Sequence, residues 1–160
     1  MKYIYIGKIV NTHGIKGEVR LISHFNQKDL VFTKGFNVYV GFEKQKFTIN
    51  TYRVHKNYDM LAFVGITNIN DIIAYKGDDV YAIREDIKTD SYILEDLVGM
   101  EVLMGNKNIG LVTDITNNNV YSLLVIGKNY VPFIDEFIIN VDTSKKQIFI
   151  KEMEGLINED

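Results

Sequence analysis

Residues 11–20 read NTHGIKGEVR and separate two stretches in which apolar residues recur. Gly14 and Gly17 lie three positions apart, and the basic Lys16 stands between them. Glycine adopts the positive φ angles of tight turns without steric cost. The flanking segments YIYIGKIV and EVRLIS have the β-branched and aromatic composition of strands. The stretch therefore predicts a β-hairpin whose glycines shape the turn.

Two other interpretations of this turn concern anion binding. A nucleotide-binding loop is disfavoured, because it requires a following helix and a Ser or Thr after the lysine, whereas Gly17 and a strand follow Lys16. Residues 14–17 do have the GxxG spacing of the loop with which KH domains hold a nucleic-acid backbone, although that loop joins two helices. An RNA-facing turn therefore remains an alternative. Its basic rim would consist of Lys8, Lys16, Arg20 and Lys28.

Aromatic and β-branched residues with period-two alternation dominate the rest of the chain. In the first half, further strands are predicted over FNVYVG, KFTINTYRVHKN, DMLAFVGI and DDVYAIR. The second half opens with SYILEDLVGMEVLM, a turn or short helical piece leading into a strand. Strands follow over IGLVTDI, VYSLLVIG, YVPFIDEF and QIFIKE, with GNKN, NNN and DTSKK as connections. TNINDIIAYKG, residues 67–77, predicts a helix that Thr67, Asn68 or Asn70 caps and Gly77 ends.

These patterns predict a mainly β protein of two consecutive small β-barrels with one short helix or two. The charged segment EDIKTD at residues 85–90 divides the chain into an N-terminal barrel over 1–86, a linker over 87–90 and a C-terminal barrel over 91–160. Residues 1–86 carry 12 Lys/Arg and 9 Asp/Glu, a balance of +3, whereas residues 87–160 carry 6 and 12, a balance of −6. The opposite signs indicate domains with different partners.

Composition and motif spacing argue against several classes of protein. With no cysteine, the chain has neither disulfides nor thiolate chemistry. The N-terminal MKYIYIGKIV lacks the continuous apolar segment of a signal peptide, so a cytoplasmic protein with no membrane partner is expected. Adjacent carboxylates on a strand point apart, and no catalytic serine motif is found, so we expect no enzyme and no cofactor. His13, His24 and His55 lie in no metal-site motif, and a metal-dependent protein using them is the third alternative.

Four segments in order resemble one family. They are GKIVNTHGIKGEVR near the N-terminus, a segment ending in YKGDDVYA, the EDLVGMEV that opens the second half, and VPFIDEFIINVD followed by IFI and EGLI. From Tyr3 to Ile157 the chain is similar to the RimM-type ribosome maturation factors. The resemblance implies an N-terminal barrel like those of translation factors, followed by a C-terminal PRC-barrel.

The same resemblance implies a role in late assembly of the small ribosomal subunit. The chain would be a non-enzymatic factor that binds the nineteenth ribosomal protein of that subunit, in its head region, and supports maturation of 16S rRNA on the immature subunit. We expect it to act as a monomer. The alternative is a direct RNA-binding module that uses the basic GxxG hairpin.

The site residues follow from the motifs that match. The match to the hairpin motif implies that this hairpin faces rRNA. The residues expected to do so are His13, Gly14, Lys16, Gly17 and Arg20. Family members often carry two adjacent aromatics before the DLxG motif, and these are associated with binding the ribosome or its protein. In this chain the pair is Tyr92-Ile93, with one aromatic, and Asp96, Leu97 and Gly99 match the motif that follows. We therefore predict a ribosomal-protein contact at Tyr92, Ile93, Asp96 and Leu97. Pro132, Phe133 and Asp135 match the PRC-barrel signature, and we expect their role to be structural.

Overall fold

The computed structural model describes residues 1–152, 155 and 157, and within them strands and turns make up nearly all of the chain. This confirms the mainly β fold class. The contacts divide the chain into two units, Met1–Thr89 and Asp90–Asp160. No helix in the described part of the chain is long and apolar enough to cross a membrane.

The first unit is a closed barrel of six strands. Its strands are β1 Tyr3–His13, β2 Glu18–Ile22, β3 Asn37–Val40, β4 Gln45–His55, β5 Tyr58–Phe63 and β6 Asp79–Ile83. They pair in the order β1-β2-β5-β4-β3-β6, and β1 also pairs with β6, every ladder being antiparallel. Closure leaves no open sheet edge, which removes a surface on which other chains could add a strand.

Side-chain alternation places the core of this barrel inside and its polar groups outside. On β2, Val19 and Leu21 are fully buried, while Arg20 between them points outward. The register of β1 against β2 shifts between Ile9 and Asn11, as in a β-bulge. Such irregularities bend a strand and increase its twist, which a small closed barrel requires.

The predicted helix over residues 67–77 is wrong in type, since this segment forms two 3₁₀ turns at Ile69–Asp71 and Ile73–Tyr75. Of the three predicted cap candidates Asn68 caps the first turn, because its side chain accepts a hydrogen bond from the Asn70 N–H at 2.8 Å. Ile72 separates the turns with a backbone at φ −129° and ψ −14°, and its side chain is fully buried. The chain therefore forms two short turns on either side of the buried Ile72 and no continuous helix.

The second unit consists of two sheets. Its strands are β7 Glu101–Met104, β8 Lys107–Leu111, β9 Asp114–Asn117, β10 Ser122–Ile126, β11 Asn129–Pro132, β12 Ile138–Asp142 and β13 Gln147–Ile150. One sheet has the order β12-β13-β7-β8, and the other has the order β11-β10-β9. β13 pairs with β7 in parallel, although 42 residues separate the end of β7 from the start of β13. One hydrophobic core, containing Leu97, Leu124 and Ile148, stabilises this unit.

Several strand boundaries in the second unit differ from prediction. IGLVTDI is divided between β8 and β9, and YVPFIDEF is a strand only as far as Pro132. The β12 strand was not predicted, because IINVD follows a turn-rich stretch and lacks a clean alternation. GNKN does mark a hairpin, since β7 ends at Met104 and β8 begins at Lys107. In the EGLI motif, Glu154 and Leu156 lie outside the described residues.

Candidate functional site

The predicted hairpin is confirmed, since β1 pairs with β2 through the turn at residues 14–17. Gly14 and Gly17 have φ angles of +74° and +92°. A Cβ on Gly17 would lie 2.8 Å from Cγ2 of Ile66. The Ile15 carbonyl accepts a hydrogen bond from the Ile69 N–H at 2.9 Å. The glycine spacing thus lets the turn lie close against the segment that enters the first 3₁₀ turn.

Basic and histidine side chains gather on the outer surface beside this turn. Arg20 Nη2 lies 2.7 Å from Nδ1 of His13, within hydrogen-bond distance. The His13 ring lies 5.5 Å from the His55 ring, centroid to centroid. The Arg20 guanidinium lies 5.6 Å from the centre of the Tyr58 ring. We define the basic patch as the six residues His13, Lys16, Arg20, Arg53, His55 and Lys56.

One carboxylate engages the basic patch. Glu18 accepts two hydrogen bonds from Arg53, at 2.9 Å to Nε and 2.7 Å to Nη2. These bonds hold the pKa of Glu18 below its ordinary value, with burial opposing and the charge of Arg53 adding to the effect. In the described part of the chain, Lys16, Arg20 and Lys56 pair with no carboxylate. The patch therefore keeps a net positive charge at neutral pH.

The pKa of His55 is lowered by burial and by its position among these cations. Burial lowers its pKa, and the charges of Arg53 and Lys56 lower it further, with smaller contributions from His13 and Arg20. His55 is therefore predominantly neutral at pH 7 and gains its charge only in acid. A bound anion would oppose these effects and favour the protonated ring.

A cavity of about 430 Å³ opens beside the turn. Its lining consists of His13, Gly14, Ile15, Lys16, Glu18 and Ala62. The volume lies within the range of small-ligand clefts, and the rim carries charged groups around an apolar floor. No group of three metal-ligating side chains converges anywhere within the described residues.

The second predicted site is a capped 3₁₀ turn at Leu94–Leu97. The Asp96 carboxylate accepts a hydrogen bond from the Ile93 N–H at 3.1 Å, which fixes the start of the turn. Tyr92 is half-buried against the core of the second unit, and burial raises the pKa of its hydroxyl. Ile93 and Leu97 are 0% exposed. Neither side chain presents surface to a partner in this structure, and the contact predicted at these two residues stays a prediction.

Sequence reasoning missed the contribution of β4 and the turn that follows it to the basic patch. Arg53, His55 and Lys56 follow one another along TYRVHKN, and this was visible as a basic run in a predicted strand. Their proximity to His13 and Arg20 depends on β5 pairing with both β2 and β4. That pairing has no local signature.

Family models and known proteins match both units. A model described as the RimM N-terminal domain matches residues 4–87, and one described as the RimM PRC barrel domain matches residues 94–156. Ribosome maturation factor RimM of Staphylococcus haemolyticus is 38% identical over 165 residues, covering 97% of this chain and 99% of that protein. The protein of the same name from Exiguobacterium is 33% identical over 171 residues, covering 100% of this chain and 99% of that protein. The crystal structure of RimM from Pseudomonas aeruginosa superposes with a TM-score of 0.50 and 17% identity over 95% of this chain and 98% of that one, which supports the fold.

Proposed function

Because this chain belongs to the RimM family of ribosome maturation factors, we propose that it assists late assembly of the small-subunit head and 16S rRNA processing by binding the nineteenth ribosomal protein. The observation that carries this proposal is the charge balance of −6 over residues 87–160. Ribosomal proteins are commonly basic because they neutralise rRNA. Opposite potentials accelerate and orient the encounter of two such partners.

Tyr92 is the proposed anchor of this contact. Its ring is half-buried, so its orientation is set by packing before a partner arrives. An aromatic with an apolar body and a polar hydroxyl is typical of interface hot spots. Asp96 fixes the start of the neighbouring turn through the bond to the Ile93 N–H, and Leu97 belongs to the core against which Tyr92 packs. The factor acts as a cytoplasmic monomer without catalysis, holding the head protein on the immature subunit until the RNA around it has folded.

Calorimetric titration with the nineteenth ribosomal protein tests this function. We expect Tyr92→Ala to weaken binding by about 1–4 kcal/mol, the range for an interface aromatic. Tyr130→Ala is the matched control, because Tyr130 is a 56% exposed tyrosine on a strand of the same unit. Thermal unfolding of both variants shows whether the second unit remains folded. The proposal fails if the parent chain does not bind, or if the two variants bind equally well.

A second candidate function, direct contact with rRNA, is favoured by the basic patch. Its cations lie on one surface of the barrel beside a turn whose backbone is open on the Gly14 side, where a Cβ would meet nothing within 4 Å. Each phosphate contact adds about 0.9 to the slope of log affinity against log salt concentration. The double variant Lys16→Ala with Arg20→Ala would therefore reduce that slope by the contribution of about two phosphate contacts. An unchanged slope would count against RNA contact at this patch.

Acid is expected to strengthen RNA binding by the patch. The lowered pKa of His55 leaves the ring neutral at pH 7, and protonation at lower pH adds a positive charge facing Arg53, Lys56, His13 and Arg20. Affinity for a 16S rRNA fragment should be flat from pH 8 to 7 and rise below about pH 6.5. Fluorescence anisotropy at constant ionic strength measures it, with His55→Gln as the control that should remove most of the rise. A rise that persists undiminished in His55→Gln would place the titrating group elsewhere.

A further inference from the structure

Four tyrosines form a continuous aromatic surface on the outside of the first barrel. Tyr5 on β1 stands opposite Tyr81 on β6, and Tyr81 stands opposite Tyr39 on β3. Tyr3 lies two positions before Tyr5 on the same face of β1, and its ring approaches those of Tyr39 and Tyr81 at 5.7 and 6.3 Å. Their neighbours along the strands, such as Ile4 and Val80, are buried. We call the surface of Tyr3, Tyr5, Tyr39 and Tyr81 the tyrosine face.

This surface already holds a cation that belongs to the chain itself. The Lys44 amine lies 4.3 Å from the centre of the Tyr81 ring and 5.5 Å from that of Tyr3. Both distances are within the range of cation–π attraction. Within the described residues the amine pairs with no carboxylate, and its one hydrogen bond is to the Phe42 carbonyl at 3.5 Å. The amine therefore lies against the rings and not in an ion pair.

Lys44 is held in a turn that costs backbone energy. It lies between β3 and β4 with a φ angle of +56°, in the left-handed region that side chains other than Asn, Asp and Gly rarely adopt. The amide of Lys44 donates to the Gly41 carbonyl at 3.1 Å. Phe42, two positions before Lys44, is 97% exposed, so the turn also carries an aromatic.

Two carboxylates, Asp79 and Asp86, lie near the rings of the tyrosine face. Burial raises the pKa values of Tyr5 and Tyr81, and the carboxylate of Asp79 raises both further. Burial likewise raises the pKa of Tyr39, with Asp86 adding to it. Lys8 and Lys46 lie opposite Asp79 and Tyr39 in the ladders, so the surface is not uniformly acidic. Ring faces beside carboxylates nevertheless suit a guanidinium or ammonium group better than a nucleic-acid backbone.

We propose that the tyrosine face is a docking surface for an arginine-bearing segment of a basic protein, and that Lys44 occupies it in the free chain. An incoming guanidinium displaces the Lys44 amine from the rings of Tyr81 and Tyr3 and stacks there, with Asp79 nearby as its counter-charge. Tyr5, at 52% exposure, extends the surface for a second side chain. This contact uses the first unit and is independent of the contact proposed at Tyr92.

The test measures binding of a synthetic arginine-rich peptide to the full chain, with a citrulline peptide of the same sequence as the neutral control. Lys44→Asn removes the competing amine and places at φ +56° a residue that tolerates this conformation. We expect it to tighten binding of the arginine peptide about two- to tenfold. Tyr5→Leu should weaken binding by a similar factor, while Tyr5→Phe, which keeps the ring, should not.

Three results would overturn the proposal. The first is equal binding of the arginine and citrulline peptides. The second is an arginine-peptide affinity that neither Lys44→Asn nor Tyr5→Leu changes. The third is binding of a twelve-nucleotide single-stranded RNA that Tyr5→Leu abolishes while peptide binding is unaffected. The last would make the tyrosine face a base-stacking surface. Because none of these measurements uses the nineteenth ribosomal protein, failure here leaves the Tyr92 contact untouched, and failure of that contact leaves this one untouched.

Discussion

Leu97→Ala is expected to destabilise the second unit by about 2–5 kcal/mol, the cost of truncating a fully buried leucine. Leu97 is 0% exposed and belongs to the core that also contains Leu124 and Ile148. The truncation removes apolar contacts and leaves a cavity that the two surrounding sheets fill only in part. A domain of this size has about 5–15 kcal/mol of total stability, so a large share is lost.

Hydrogen exchange is the measurement of choice, because the chain has two units and one unfolding curve would mix them. Protection of amides in β7 and β13 should fall, while that of β1 and β2 should not. Val98→Ala is the control, since Val98 follows Leu97 directly and is 46% exposed. Equal protection in the two variants would show that Leu97 does not stabilise this core. In that case, loss of the fold would not explain a loss of partner binding in Leu97→Ala.

Asp59→Ala is expected to cost about 2–3 kcal/mol, because it removes a charged acceptor from two donors at once. The Asp59 side chain is only 4% exposed and accepts from Lys28 Nζ at 2.7 Å and from the Tyr52 hydroxyl at 2.6 Å. Burial and the Asp59 carboxylate raise the pKa of Tyr52, so the hydroxyl keeps its proton and donates. Lys28 is 37% exposed and recovers water when its partner is lost, so most of the cost comes from Tyr52.

Arg53→Ala removes an ion pair of the same length as the Lys28–Asp59 pair but of lower burial, and it therefore serves as the comparison for Asp59→Ala. The Arg53–Glu18 ion pair is also 2.7 Å long, but its side chains are 49% and 18% exposed. An exposed ion pair stabilises less than a buried one because water competes for both partners. Protection of β4 and β5 amides in hydrogen exchange should separate the two variants clearly. If Arg53→Ala lowered that protection as much as Asp59→Ala, burial would not be what makes the Asp59 interaction strong.

Local features of the chain determined much of this protein. Alternation of polar and apolar residues placed most strands and the inward side of each, as for Val19 and Leu21 around Arg20. The spacing of Gly14 and Gly17 predicted the hairpin, and its motif together with three others predicted the family. These features depend on a few neighbouring residues, and the steric limits of φ and ψ act at that range. These features can therefore be predicted from the sequence alone.

Tertiary structure alone decided which of these residues meet. The strand order β1-β2-β5-β4-β3-β6 brings His55 beside His13 and Tyr39 beside Tyr81, and the parallel ladder of β13 with β7 closes a long stretch of chain. The same folding buried Leu97, which its motif had placed in a binding site, and reduced a predicted helix to two 3₁₀ turns around the buried Ile72. Burial and long-range pairing are decided by the packing of the whole core, because each side chain competes with all others for the same interior. No local pattern encodes the outcome of that competition.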